Sequence, residues 1–159
     1  MADETYTVQR STTIDARPEH VYEQIADFHN WPKWSPWEGV DPQLKRWYSG
    51  AGSGAGAGYT WSGNRRAGQG RMEITNATQP SSVRIDLQFE KPWKSRNDLV
   101  FTIQPEGTGS RVTWTMTGRK TLMTQVMGVF RSMDKLIGPD FEKGLAQLKA
   151  VTEQRAATD

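Results

Sequence analysis

The sequence contains no cysteine. That excludes a disulfide, a thiolate nucleophile and any thiolate-bound zinc, and it agrees with a reducing compartment. Histidine is almost as scarce, with His20 and His29 the two in the chain. They cannot supply a two-histidine metal site on one helical turn, and no carboxylate cluster stands near them at ligand spacing, so neither a metal nor another cofactor is called for. The pattern predicts both to be exposed or capping. No stretch approaches the run of about 18 apolar residues that a membrane helix needs. The polar, acidic residues 1–7 lack the basic and apolar regions of a signal peptide, which predicts a cytoplasmic protein. No sign of charge dominates either. The 20 Lys and Arg against 18 Asp and Glu give a formal charge of +2, and the basic residues are scattered, so a nucleic-acid footprint is not supported.

What the chain does have is apolar surface concentrated in large flat side chains, with seven Trp against four Tyr. Its 159 residues suit one domain, with a core over about 5–152, burying roughly 70% of the surface that the unfolded chain exposes. Residues 6–14 alternate, placing Tyr6, Val8, Arg10, Thr12 and Ile14 on one face. Pro18 then opens a short amphipathic helix marked by Val21, Tyr22, Ile25, Ala26 and Phe28. Trp31, Trp34 and Trp37 are interleaved with Pro32 and Pro36, a composition for irregular turns packed on a core.

Strands are predicted over 44–49, 59–62, 71–77, 82–90, 97–104 and 111–118. Between the first two of these, glycine occupies every second position from Gly50 to Gly58, so the connection must be mobile or tightly turned. It lacks the Lys-Ser/Thr ending of a phosphate-binding loop. After Gly118 the apolar period becomes helical: Leu122, Met123, Val126, Met127, Phe130, Met133 and Leu136 form one stripe. Pro139 is expected to break that helix, which restarts with Phe141, Leu145, Leu148 and Val151. Short connections favour antiparallel neighbours, giving an α+β domain whose sheet is covered on one face by the C-terminal helix.

This order, with Ile14-Asp-Ala-Arg-Pro-Glu-His-Val21, the segment from Asp27 to Trp37, Tyr59-Thr-Trp-Ser-Gly-Asn64 and Phe141-Glu-Lys-Gly-Leu145, resembles the START-like superfamily. More narrowly it is similar to the bacterial polyketide cyclase/dehydrase and lipid-transport group. The resemblance implies a helix-grip fold, in which a curved seven-stranded antiparallel sheet wraps a long C-terminal helix around a cavity, as in relatives of the birch-pollen allergen. It also implies that Trp31, Trp34 and Trp37 stand at the cavity rim and that the glycine-rich loop adjusts access. The superfamily holds carriers, receptors, cyclases and chaperone activators, so function must come from the site.

On inward parities, Trp61, Met72, Phe89, Phe101, Trp114 and Met116 converge on one volume, closed by Met123, Met127 and Phe130 from the helix. Met adapts to irregular ligands and Trp offers a flat face with one N–H, although a dry core uses the same types. Arg10, Tyr48, Asn76 and Asn97 are the inward polar candidates for orienting a ligand oxygen, and the Arg10 guanidinium would suit a carboxylate. No nucleophile–base–orienter set is apparent, and Glu73 and Asp86 fall on the outward parity. The expected function is binding or transport of a small hydrophobic ligand: a lipid, fatty acid or polycyclic aromatic. The alternatives are a cyclase or dehydratase-type enzyme, and a protein-interaction module of the co-chaperone kind.

Overall fold

Alternation of apolar and polar side chains carries through seven strands: β1 (Thr5–Ile14), β2 (Lys45–Gly50), β3 (Ala57–Ser62), β4 (Gln69–Thr78), β5 (Ser82–Lys91), β6 (Ser95–Glu106) and β7 (Gly109–Arg119). The structure, a computed structural model, describes residues 5–91, 94–119 and 133–158. All neighbouring strands are antiparallel, in the order β1-β7-β6-β5-β4-β3-β2. Helix α1 (Pro18–Ala26) and a 3₁₀ segment (Phe28–Lys33) link β1 to β2, and helix α2 (Met133–Thr158) closes the chain. This is the helix-grip arrangement. No described helix is long and apolar enough to cross a membrane.

Val83, Ile85, Phe101, Ile103, Val112 and Trp114 fill the inner face of the sheet, and Phe141, Leu145 and Leu148 of α2 are buried with them. The alternation fails at one place. A register shift between Ile74 and Asn76 sets Asn76 opposite Arg84 and brings Ala77 opposite buried Val83. Asn76 is therefore exposed rather than inward, because a β-bulge resets the parity of its strand.

The glycine-rich connection is tightly turned. Gly54 N–H donates to the Ala26 carbonyl at 2.8 Å, and Gly56 N–H to the Ile74 carbonyl at 2.8 Å, tying the loop to the end of α1 and to β4. None of its residues lines the cavity described below.

Pro139 does not break the last helix, contrary to the expectation from sequence: α2 runs through it. Proline costs a helix one backbone hydrogen bond. Here one guanidinium holds both sides of the defect. Arg10 Nη1 and Nη2 donate to the Asp134 carboxylate at 2.6 and 2.9 Å, and its Nε donates to Glu142 at 2.8 Å. The guanidinium passes over Gly138, where a Cβ would collide with it. Gly138→Ala should thus displace Arg10 and speed amide hydrogen exchange over residues 134–142, as should Arg10→Gln; unchanged exchange in both variants would refute the clamp. The hydrogen bonds from Arg10 hold the Asp134 carboxyl below its ordinary value. The Asp134 arm of the clamp is consequently in place above about pH 4 and is lost as the pH falls through the lowered Asp134 value.

Candidate ligand-binding cavity

The tryptophans after α1 divide into two roles. Trp31 Nε1 donates to the Ile25 carbonyl at 2.9 Å and Trp34 Nε1 to the Gln24 carbonyl at 3.0 Å. These carbonyls belong to the last turn of α1, where helix geometry leaves acceptors unpaired, so the two indoles finish the helix while filling the core. Trp34 is fully buried and does not line the cavity, and the expectation that it stands at the rim is corrected. Trp37 is 42% exposed and does line it.

The cavity has a volume of about 340 Å³ and lies between the inner face of β3–β7, the 3₁₀ segment and α2. Trp37, Trp61, Met72, Phe89, Met116 and Asn97 come together on its wall, with Trp31, Tyr59, Leu99 and Phe141. Trp61 packs against Gly70, a position where any Cβ would strike the indole. Phe101 and Trp114 are not on the wall. Trp114 stacks on Phe141 at 4.0 Å and on Phe101 at 4.9 Å between centroids, and both are wholly buried in packed core. Met123, Met127 and Phe130 lie outside the described residues.

Two polar expectations are also corrected. Arg10 is engaged by Asp134 and Glu142 and does not reach the wall. Tyr48 is 38% exposed, with its ring stacked on His29 at 4.0 Å, because the short edge strand β2 leaves that ring outside the closed part of the fold. His29 in turn bonds Asp27 at 2.8 Å.

The polar groups that do line the cavity are Tyr6, Glu38, Tyr59, Arg66, Ser95, Asn97 and Asp140. Tyr6 donates its hydroxyl to Asn97 Oδ1 at 2.6 Å. Glu38 is ion-paired to Arg46. Burial, aided by the Glu38 carboxylate, pushes the Tyr59 phenol up to about 12, so it stays a neutral hydroxyl at ordinary pH. Tyr59 was within reach of sequence reasoning, sharing its parity with Trp61. Glu38, Arg66 and Asp140 were not, because they come from loops and a helix, where strand alternation carries no information. Among the described residues no group of three His, Asp or Glu side chains is placed to hold a metal ion.

Arg66 stands on a constructed turn. Asn64 Oδ1 accepts from the Arg66 and Ala67 N–H groups at 2.9 and 3.0 Å, Asp41 Oδ2 accepts from Asn64 N–H at 2.8 Å, and Trp61 Nε1 donates to the Ala67 carbonyl at 2.9 Å. The Trp-Ser-Gly-Asn run thus places a cavity-wall indole and the turn beside it in one stroke. Asn64→Ala should lower stability by about 0.5–1.5 kcal/mol and raise amide exchange at residues 64–68. Thermal melts and exchange rates check this; a variant that changes neither would show that the turn does not depend on the Asn64 side chain.

The family model described as polyketide cyclase/dehydrase and lipid transport matches residues 5–153. The chain belongs to that family. Its fold is shared with solved structures of low sequence identity. Protein SA2116 of unknown function from Staphylococcus aureus has a TM-score of 0.70 at 12% identity, covering 96% of this chain and 96% of its own. The Aha1 dimer from Colwellia psychrerythraea gives 0.62 at 17%, with 92% and 96% covered. Ara h 8.0201 gives 0.63 at 9%, with 98% and 100% covered. These likenesses carry fold alone. No curated protein matches the chain. Family and fold together support a hydrophobic ligand-binding domain.

Proposed function

We propose that this member of the family binds or carries a small hydrophobic molecule, such as a fatty acid, another single-chain lipid or a polycyclic aromatic, in the cavity on the inner face of the sheet. The observation that carries the reading is a wall of Trp, Phe and Met side chains around about 340 Å³, near the lower end of the roughly 300–1,000 Å³ of ligand pockets. Affinity on such a wall comes mainly from apolar burial. The Tyr6–Asn97 pair and the neutral Tyr59 hydroxyl then offer a few fixed points for a ligand oxygen.

The decisive experiment combines native mass spectrometry of protein purified from its own host with titration of the neutral fluorophore N-phenylnaphthylamine. An added mass that disappears on denaturation, and a fluorophore displaced by a fatty acid or an aromatic, are the expected results. A bare protein that neither enhances the fluorophore nor releases it would remove this reading. A second reading, an enzyme of the cyclase or dehydratase kind, draws on Asp140, a carboxylate on the cavity wall placed to move a proton. Turnover of a cavity ligand that Asp140→Asn abolishes without loss of binding would establish it.

A further inference from the structure

Four cations gather at the end of the sheet where the cavity has Arg66 on its wall. Arg66 itself lines the cavity, and Arg65 precedes it on the constructed turn between β3 and β4. The end of β5 and the start of β6 lie at the same end of the sheet, since Gln69 pairs with Lys91 and Phe89 pairs with Ser95. Phe89 and Ser95 both line the cavity; Lys91 and Lys94 follow and precede them along the chain without lining it themselves. All four cations are exposed, and among the described residues none of them forms an ion pair.

The carboxylates nearby do not balance them. Glu38 is neutralised by Arg46, whereas Asp41 accepts from the backbone N–H groups of Gln43 and Asn64 and keeps its charge beside the turn. Asp41, Glu90 on β5 and Asp140 on α2 thus stand as three carboxylates against four positive charges. The carboxylate-binding role that sequence alone suggested for Arg10 is unavailable, because Arg10 is spent on α2.

Resting on the proposed ligand-binding reading, we infer that the ligand is an anionic single-chain amphiphile, its tail in the apolar cavity and its carboxylate or phosphate head at the rim formed by Arg65, Arg66, Lys91 and Lys94. Arg66 is the group best placed to meet the head. Its backbone N–H is fixed by Asn64 Oδ1 at 2.9 Å, so the guanidinium starts from a fixed turn, while the flanking cations add field rather than geometry. A bare apolar cavity would not distinguish an alcohol from the corresponding acid. This rim does.

The test uses the full chain and the fluorophore-displacement assay, with decanoate, decyl phosphate, decan-1-ol and decyltrimethylammonium as competitors below their micelle thresholds. Single exposed ion pairs are weak, and several acting together should give the anions an advantage of about tenfold over the alcohol at low salt. The cationic chain should compete worst. The advantage should shrink at high ionic strength, as exposed charge pairs do. It should also vanish in the combined variant Arg65→Gln, Arg66→Gln, Lys91→Gln and Lys94→Gln, with the anions losing more affinity than decanol does. These positions are exposed, so the variant should melt like the wild type. Whichever anion competes better identifies the source, a free fatty acid or a lysophospholipid-like phosphate. If decanoate and decyl phosphate bind no better than decanol, the headgroup rim is wrong while the cavity stands. If no chain displaces the fluorophore, the cavity reading fails and the inference fails with it.

Discussion

Trp114→Ala should unfold the protein at a much lower temperature instead of selectively removing ligand binding. Its ring is wholly buried, stacked on Phe141 with 6° between planes and on Phe101 with 28°, and met edge-on by Trp34 and Trp37. It therefore joins β7, β6, the 3₁₀ region and α2 at one point. Truncating such a ring costs about 3–5 kcal/mol, because the void is bounded by several elements that cannot all close on it. For a chain of this length that corresponds to a fall of roughly 6–20 °C in Tm. Trp114→Phe should behave differently. The Trp114 indole N–H is buried with no partner among the described residues, a condition that costs about 1–3 kcal/mol. Phe removes that penalty and keeps most of the stack, so stability should stay within about 1.5 kcal/mol of wild type. A melt in which Phe and Ala are equally destabilising would show that the indole N–H has a role the packing does not reveal.

Met72→Trp should abolish binding with little loss of stability. Met72 sits on β4 between Tyr59 and Leu87 in register, and its side chain lines the cavity. A larger ring at this position projects into empty volume, not into packed atoms, so the usual overpacking cost of about 1–3 kcal/mol is largely avoided. The ring occupies space that a ligand needs. Affinity for N-phenylnaphthylamine is expected to drop by at least about tenfold, equivalent to about 1.4 kcal/mol. Leu99→Phe, on the same sheet face two strands away, should produce the same loss in a smaller measure. Two folded variants that bind the fluorophore at full strength would place the ligand outside this cavity.

Much of the fold was legible because alternation is a local property. The strand pattern placed Met72 and Ile74 on one face, and likewise Val83, Ile85, Leu87 and Phe89, and the structure buries that face. Asn76 escaped because a bulge is an insertion in a pairing, visible only when both strands are present. The helical break expected at Pro139 was a sound inference from the local chain. It was overruled by Arg10, a residue far away in sequence that grips both sides of the proline.

Alternation also determined which residues of β6 and β7 face inward, but not what they face there. Leu99 pairs with Met116 and both line the cavity; two residues along, Phe101 pairs with Trp114 and both are sealed in core. All four share one parity and one residue chemistry. What separates them is that Trp34 and Phe141 reach Trp114 and close that part of the sheet, while no described side chain fills the space over Leu99 and Met116. A strand's periodicity is set by its own backbone, so sequence alone determined the inward face. Whether that face is packed or open depends on where a helix and a 3₁₀ turn come to rest, and only the tertiary structure decided it.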